Sequence, residues 1–157
     1  MDVMTDVESI PDRLEMLDVV PLRIAAATSG ADDARLHRRT SVEPWSANDV
    51  LAHMRAAADN RMRFMRRMAS GQHGRLAYVS PRSELRRTDY VERPFAENLA
   101  AFTAERSDLV AWLKGLSGDQ WRREVSIRDR PESVATYARY LAEHDLAHCD
   151  QIEALLR

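Results

Sequence analysis

The sequence is poor in cysteine, glycine and lysine, and each shortage excludes something. Cys149 is the only cysteine in 157 residues, so no internal disulfide can form. Five glycines in a chain rich in alanine and leucine favour helices over strands. Lys114 is the only lysine, and the net charge is −2. The chain therefore has no overall positive charge with which to attract nucleic acid or an anionic membrane.

Long apolar runs are also missing. No stretch approaches the roughly 20 apolar residues that a membrane-spanning helix needs. Residues 1–10 are acidic and lack the charged-then-apolar pattern of a signal peptide. With 45% hydrophobic and 31% charged residues, the composition is that of a soluble globular protein. We expect a single domain over residues 1–157, located in the cytoplasm.

The apolar residues recur at helical spacing nearly throughout and predict four long helices. The first runs from about Ile10 to Thr28, and Pro21 should kink or divide it. Ser46 is the expected N-cap of the second, because its hydroxyl can accept from free backbone N–H groups, and Asp49 follows near the positive helix end. This helix continues to about Ala69, where glycines 71 and 74 stop it.

Prolines mark the expected starts of the other two long helices. Pro94 opens the third, whose apolar positions recur at steps of four and three, with Arg106 on the same seam. Pro131 opens the fourth, which runs nearly to residue 157. Short helical turns are expected around 32–39 and 83–87. Four amphipathic helices with no strand signal predict an all-α four-helix bundle, in which the long second connection either reaches around the bundle or forms a lid.

Three histidines fall on inward-facing positions of these helices. His144 and His148 are four residues apart on the seam of the fourth helix, so their imidazoles lie on one face, one turn apart. His53 lies on the inner side of the second helix. The three could hold one divalent metal and leave positions open for water and substrate. However, this pair spacing also arises by chance, and a lone inward histidine is more often a hydrogen-bonded core residue.

Several segments resemble the DinB/YfiT-like superfamily. Residues 45–53, WSANDVLAH, are similar to the start of that family's second helix. Residues 140–152, YLAEHDLAHCDQI, are similar to its closing helix, in which His-Asp-x-x-His precedes Gln-Ile. Arg106 and residues 113–121, LKGLSGDQW, resemble the third helix and the polar turn after it. The resemblance extends over residues from about 10 to 157.

The resemblance implies a four-helix bundle, often dimeric, with a zinc-, nickel- or iron-type ion on three histidines. His53, His144 and His148 match those ligand positions. Imidazole ligands suit all of these ions, so the residues do not identify the metal. It further implies a transferase or isomerase that uses a low-molecular-weight thiol such as mycothiol, as in mycothiol-dependent maleylpyruvate isomerases. The alternatives are a metal-dependent hydrolase and a non-catalytic, stress-related binding bundle. We expect a small-molecule substrate and a homodimer, with no nucleic-acid or membrane partner.

Arg106, Tyr137 and Tyr140 are the candidate substrate-pocket residues. A guanidinium on an apolar seam needs an acidic or carbonyl partner, so Arg106 either forms a structural ion pair or clamps a substrate carboxylate. Tyr137 and Tyr140 precede His144 by one or two turns and either line a pocket or pack in the core. Asp145 is interpreted as a surface acid or a hydrogen-bond partner of a ligand, and no catalytic base is identified.

The remaining residues of interest are given structural interpretations. Cys149 is expected at a second face or a dimer contact, and Leu146 and Leu156 give weak support for a dimer. Trp45 is expected to anchor the base of the bundle. Polar surroundings place two histidines and a row of arginines on the solvated surface: His37, His73, Arg61, Arg63, Arg66 and Arg67. Few aromatic residues interleave with these arginines, which argues against a nucleic-acid interface.

Overall fold

The computed structural model describes residues 10–72 and 77–157. In chain order its elements are α1 (Ile10–Thr28), α2 (Asp33–Leu36), α3 (Ala47–Ala69), α4 (Pro81–Arg86), a 3₁₀ turn (Tyr90–Glu92), α5 (Phe95–Lys114), α6 (Gly118–Arg122), β1 (Val125–Ile127), β2 (Arg130–Glu132) and α7 (Val134–Leu155). His73 and Gly74, for which a surface position and a helix stop are expected, lie outside the described residues. No helix in the described ranges is both long and apolar enough to cross a bilayer.

The long helices α1, α3, α5 and α7 form a four-helix bundle, which confirms the expected fold class. Helix α1 packs against α5 and α7, and α3 packs against the same two helices. Because α1 and α3 share both neighbours, they occupy opposite corners of the bundle. This arrangement places the inner faces of α3 and α7, which carry the three candidate ligands, directly against each other.

Helix α3 begins and ends where the sequence predicts. The Ser46 hydroxyl accepts a hydrogen bond from the backbone N–H of Asp49 at 3.0 Å, and the Asp49 carboxylate accepts one from the N–H of Ser46 at 2.8 Å. Arg39 binds both oxygens of that carboxylate at 2.5 and 2.6 Å. Two otherwise unsatisfied donors at the helix end are thereby paired. The cap fixes the residue at which α3 begins and therefore the side of the helix on which His53 lies.

Two expectations about prolines are wrong in part. Helix α1 runs unbroken through Pro21, because that residue is buried with Leu17, Val20 and Ile24 and packing compensates for the missing backbone donor. Pro131 does not open the last helix. It lies in strand β2 opposite Ser126, and α7 starts only after the Ser133 cap.

The strands β1 and β2 form an antiparallel hairpin that the sequence reading missed. Its two-residue turn consists of Arg128 and Asp129, both with positive φ, at 52° and 61°. Such a turn matches the twist of paired strands, although glycine and asparagine are the usual occupants. Each strand has only three residues, too few to show the alternation that identifies a strand. The hairpin directly precedes α7, and Ile127 of β1 is buried in the hydrophobic core.

The core consists of two hydrophobic clusters stacked along the bundle. On α5, Phe102 belongs to one cluster and Leu109 to the other, with Arg106 between them. On α7, Leu141 and Cys149 divide in the same way. Cys149 is fully buried in the same cluster as Val20 and Ile24 of α1, so it packs at a second face of α7 as one alternative expects, and the other alternative, a dimer contact for its side chain, is wrong. Arg106 therefore lies at the boundary between the two clusters, where the apolar core is interrupted.

A buried polar network fastens the long second connection to the bundle. The Asn98 amide donates to Asn48 Oδ1 at 2.9 Å and to the Tyr90 carbonyl at 2.7 Å. Arg55 donates to Asn98 Oδ1 at 2.8 Å, and its guanidinium lies 3.7 Å from the centroid of the Tyr90 ring. Both α4 and the 3₁₀ turn pack against α3. Within residues 77–94 the connection therefore lies along α3, held by hydrogen bonds to buried side chains.

Candidate metal centre

Helices α3 and α7 bring His53, His144 and His148 to a common point. One side-chain nitrogen from each lies within 4.8 Å of the other two. The Nε2 atoms of His53 and His144 are 3.0 Å apart, and the His148 ring centroid lies 4.8 Å from that of His53 and 4.4 Å from that of His144. The three imidazoles thus converge as the sequence spacing predicts, with their ligand atoms close enough to share one ion.

Gln151, one turn after His148, orients the His148 ring. Its side-chain oxygen accepts a hydrogen bond of 2.8 Å from the Nδ1–H of His148. A neutral imidazole with its proton on Nδ1 has its lone pair on Nε2, so this bond selects the tautomer that can bind a metal through Nε2. Gln151 stands in the motif that the sequence singled out, but its role was missed. Its i+3 spacing from His148 was the available signal.

Burial and charge keep two of the site's imidazoles, those of His53 and His148, neutral. Burial is the largest influence on the pKa of His53, which falls to about 4 with further lowering by His144, His148, Arg61 and Arg82. Burial also lowers the pKa of His148, against a smaller opposing effect of its hydrogen bond to Gln151. Neutral imidazoles have lone pairs available at neutral pH, as metal coordination requires.

The Nδ1 atoms of His53 and His144 are buried and have no hydrogen-bond partner among the described residues. Asp145 Oδ1 lies 4.0 Å from Nδ1 of His144, which is beyond hydrogen-bond distance. An ion held at the Nε2 atoms would leave these two Nδ1 atoms unchanged, so the fit to a metal rests on the other nitrogens. The Nε2 atoms of His53 and His144 are 3.0 Å apart, and the hydrogen bond to Gln151 leaves Nε2 of His148 free to join them, which is a donor set that suits a divalent ion.

Aromatic rings surround the three histidines. Trp45 contacts His53 edge to face at a centroid distance of 5.3 Å. The sequence predicts Trp45 only as an anchor at the base of the bundle and does not reveal this contact with the site. Tyr140 stacks on His144 at 5.8 Å with an angle of 23° between the rings. Tyr137 and Tyr140 both line an open cavity beside His144. The structure thus places both tyrosines at a pocket, and Tyr140 connects that pocket to the metal centre.

Arg106 lies in the core and does not reach this pocket. It is 1% exposed, and its guanidinium donates to both carboxylate oxygens of Asp145 at 2.5 and 2.9 Å and to the Met54 carbonyl at 3.3 Å. Of the two roles considered for Arg106, the structure therefore supplies the structural ion pair, and the guanidinium is not available to a substrate. Asp145 is fully buried, so its interpretation as a surface acid is wrong.

The Arg106–Asp145 pair is electrostatically well matched. Burial raises the pKa of the Asp145 carboxyl, but the charge and hydrogen bonds of Arg106, together with His144, outweigh burial and hold the pKa below its usual value. The carboxylate is therefore ionised and committed to Arg106. It cannot serve as a proton acceptor at the metal centre without leaving a buried guanidinium unpaired.

A family model described as the DinB superfamily matches residues 16–152, which is most of the chain and includes all three histidines. The chain belongs to the DinB superfamily. The sequence resemblance noted above is thereby confirmed over the bundle from α1 to α7. No curated protein matches the sequence closely enough to count as a relative.

Among solved structures, this DinB-superfamily chain is similar to YfiT from Bacillus subtilis. That protein is described as a probable metal-dependent hydrolase with an unusual four-helix bundle topology. The superposition has a TM-score of 0.74 and covers 92% of this chain and 85% of YfiT. The two sequences are 15% identical, so the similarity establishes the shared fold.

Proposed function

We propose that this chain is a divalent-metal-dependent enzyme acting on a small molecule, and more narrowly a transferase or isomerase that uses a low-molecular-weight thiol. The observation that carries the proposal is the convergence of three imidazoles beside an open pocket. A zinc-, nickel- or iron-type ion on His53, His144 and His148 would supply Lewis acidity and stabilise an anionic nucleophile. Imidazole ligands suit each of these ions.

The surroundings of the three histidines favour a thiol over water as the nucleophile. Among residues 10–72 and 77–157, no carboxylate belongs to the cluster of candidate ligands, and Asp145 is committed to Arg106. Water on such an ion would ionise near pH 7 without a base, but hydrolysis would still lack a neighbouring carboxylate to position the water or to protonate the leaving group. A thiolate is intrinsically the stronger nucleophile and needs only the ion to hold it as the anion.

In the proposed transfer the thiol sulfur forms a bond to an electrophilic carbon of the acceptor. The leaving group departs with the electron pair of the bond that breaks, and the thiol proton passes to solvent. The chain's own contribution is to hold the three imidazoles in fixed positions, through the α3 cap and the Gln151 hydrogen bond, and to present Tyr140 and the pocket beyond it to the acceptor.

A metal-dependent hydrolase is the second candidate, supported by the structural similarity to YfiT, which is described in those terms. The two candidates differ in their nucleophile. Thiol transfer consumes a thiol and yields a thioether, whereas hydrolysis proceeds at the same rate without thiol. A single protein preparation can therefore distinguish them.

The test uses protein reconstituted separately with zinc, nickel or iron. Thioether formation from mycothiol and 1-chloro-2,4-dinitrobenzene is followed by absorbance, and hydrolysis of p-nitrophenyl acetate is followed in parallel. We expect thioether formation to depend on the metal. The variant His148→Ala, which removes a ligand, should lower its rate by more than the roughly 10–100-fold that is typical when only the hydrogen-bond partner of a ligand is lost. The control is His37→Ala, a histidine at the C-terminal end of α2 and outside the site.

Thiol-independent hydrolysis that requires the metal would instead support the hydrolase. Rates of both reactions that are equal with and without metal, or equal in wild type and His148→Ala, would overturn both enzymatic candidates. Bound metal without either activity would favour the non-catalytic binding bundle.

A further inference from the structure

The cavity beside the metal centre has a strongly basic lining. Its volume is about 560 Å³, and it lies between α3, the β1–β2 hairpin and α7. Four arginines and one carboxylate contribute to its wall: Arg61, Arg128, Arg130, Arg139 and Glu132. We call it the arginine–tyrosine pocket, because Tyr78, Tyr137 and Tyr140 also line it.

Three of these arginines have no carboxylate partner in the described parts of the chain. Arg61, Arg128 and Arg130 form no ion pair there, whereas Arg63, on the same helix as Arg61, pairs with Glu84 at 2.7 Å. The lining carboxylate, Glu132, already accepts a hydrogen bond of 2.6 Å from the Thr136 hydroxyl. The positive charge of the pocket is therefore not neutralised by its own wall.

Aromatic rings hold two of the guanidinium groups in position. Arg61 lies 4.0 Å from the centroid of the Tyr140 ring, and Arg128 lies 4.6 Å from that of Tyr78. A guanidinium stacked by its flat face on a ring keeps its N–H edge free for a planar anion. Burial raises the pKa of Tyr137 to about 12, so its hydroxyl stays protonated at neutral pH and can also donate.

Tyr140 joins the pocket to the candidate metal centre. The Arg61 guanidinium carbon lies 4.0 Å from the centroid of the Tyr140 ring, and the centroid of the His144 imidazole lies 5.8 Å from the same point. The guanidinium and the imidazole therefore contact the same aromatic ring. An anionic group bound at Arg61 would lie beside a ring that contacts a candidate metal ligand.

We propose that the arginine–tyrosine pocket binds the carboxylate of a small organic acid with an apolar or aromatic body. Arg61 and Arg130 engage the carboxylate, and the tyrosine rings contact the body. The tyrosines distinguish such a ligand from a bare inorganic anion, which needs no apolar contact. That this acid is a substrate or co-substrate rests on the proposed function, whereas the binding itself does not.

The test measures binding of benzoate to the full chain by NMR of the arginine Nε–Hε signals, with benzamide as the neutral analogue and inorganic phosphate as the bare anion. We expect benzoate to shift the pocket arginines and to bind more tightly than either comparison molecule. The variant Arg61→Gln/Arg130→Gln should weaken benzoate binding by about tenfold or more, because charge-assisted hydrogen bonds are lost. Its control, Arg66→Gln/Arg67→Gln, removes the same charge from exposed positions on α3.

Equal binding of benzoate and benzamide, tighter binding of phosphate, an equal loss in the control variant, or no shift at millimolar benzoate would each overturn the proposal. The same titration is repeated on His148→Ala. Benzoate binding that persists there, with metal binding abolished, supports the pocket independently of the enzyme. Failure of benzoate binding in wild type that still binds metal overturns the pocket and leaves the proposed function standing.

Discussion

His148 donates its Nδ1 hydrogen to Gln151 Oε1 over 2.8 Å, and this bond determines which nitrogen of His148 can bind a metal. The bond lies within one helix, so the orientation of the His148 ring is set by α7 itself. His144, one turn earlier, has no equivalent partner among the described residues.

Replacing Gln151 with leucine should weaken metal affinity by about 10–100-fold, because the tautomer and ring orientation of His148 are no longer fixed. Gln151→Glu keeps an acceptor at this position and should retain affinity. Zinc affinity is measured by competition with a chromophoric chelator. The control is Gln72→Leu, an exposed position beyond α3. Equal affinity in wild type and Gln151→Leu would show that Gln151 does not position the ligand.

Breaking the Arg106–Asp145 pair should be among the most destabilising single changes. Arg106→Met leaves a buried carboxylate without its partner and should lower the free energy of unfolding by about 3–5 kcal/mol. Arg106→Met/Asp145→Leu, which removes both charges, should recover much of that loss. Urea denaturation measures both.

The exposed pair of Arg93 and Asp89, which flank the 3₁₀ turn, provides the comparison. Arg93→Met should cost less than about 1 kcal/mol, because surface ion pairs contribute little. A cost for Arg106→Met as small as that for Arg93→Met would contradict the structural role assigned to the buried pair.

The Asp49 cap should make stability depend on acid pH. Burial opposes ionisation of this carboxyl, but hydrogen bonds from Arg39 and Ser46 outweigh it and lower the pKa below 3.8. A depressed folded-state pKa stabilises the fold at pH values above the unfolded pKa, and this stabilisation disappears as pH falls through the folded pKa. The difference in unfolding free energy between wild type and Asp49→Asn should therefore be larger at pH 7 than at pH 3. A difference that grows toward pH 3 would contradict the assignment.

Cys149 should be unreactive in the folded protein. Burial raises the pKa of its thiol to about 11, so little thiolate is present at neutral pH, and the side chain is inaccessible. Alkylation by iodoacetamide at pH 8, followed by mass spectrometry, should be slow in native protein and fast in urea. Rapid native alkylation would show that the thiol is exposed and ionised.

Much of the fold could be predicted because its signals are local. The Ser46–Asp49 cap, the apolar spacing and the i, i+4 pair His144–His148 are all contained within single helices, and they placed the three ligands on facing surfaces. The start of α7 was misplaced at Pro131, although Ser133 and Thr136 supply the actual capping box. Proline suits both a helix start and an edge strand, so that residue alone could not decide.

The tertiary pairings could not be predicted from spacing. Asp145 is the partner of Arg106, but the two residues are 39 positions apart on helices whose relative rotation the sequence does not reveal. The arginine–tyrosine pocket depends on the β1–β2 hairpin, whose three-residue strands are too short to recognise, and on Arg61, which was interpreted as part of a solvated surface. Only the packed chain shows that these residues share a cavity.

The central claim is that three imidazoles from α3 and α7 hold one divalent ion. Metal content is the direct test: untagged protein is incubated with zinc, dialysed and analysed by mass spectrometry for metal per chain. The account predicts about one ion per chain in wild type and His37→Ala, and a large loss of metal in His53→Ala, His144→Ala and His148→Ala. Negligible metal in wild type, or equal metal in wild type and all three variants, would contradict it.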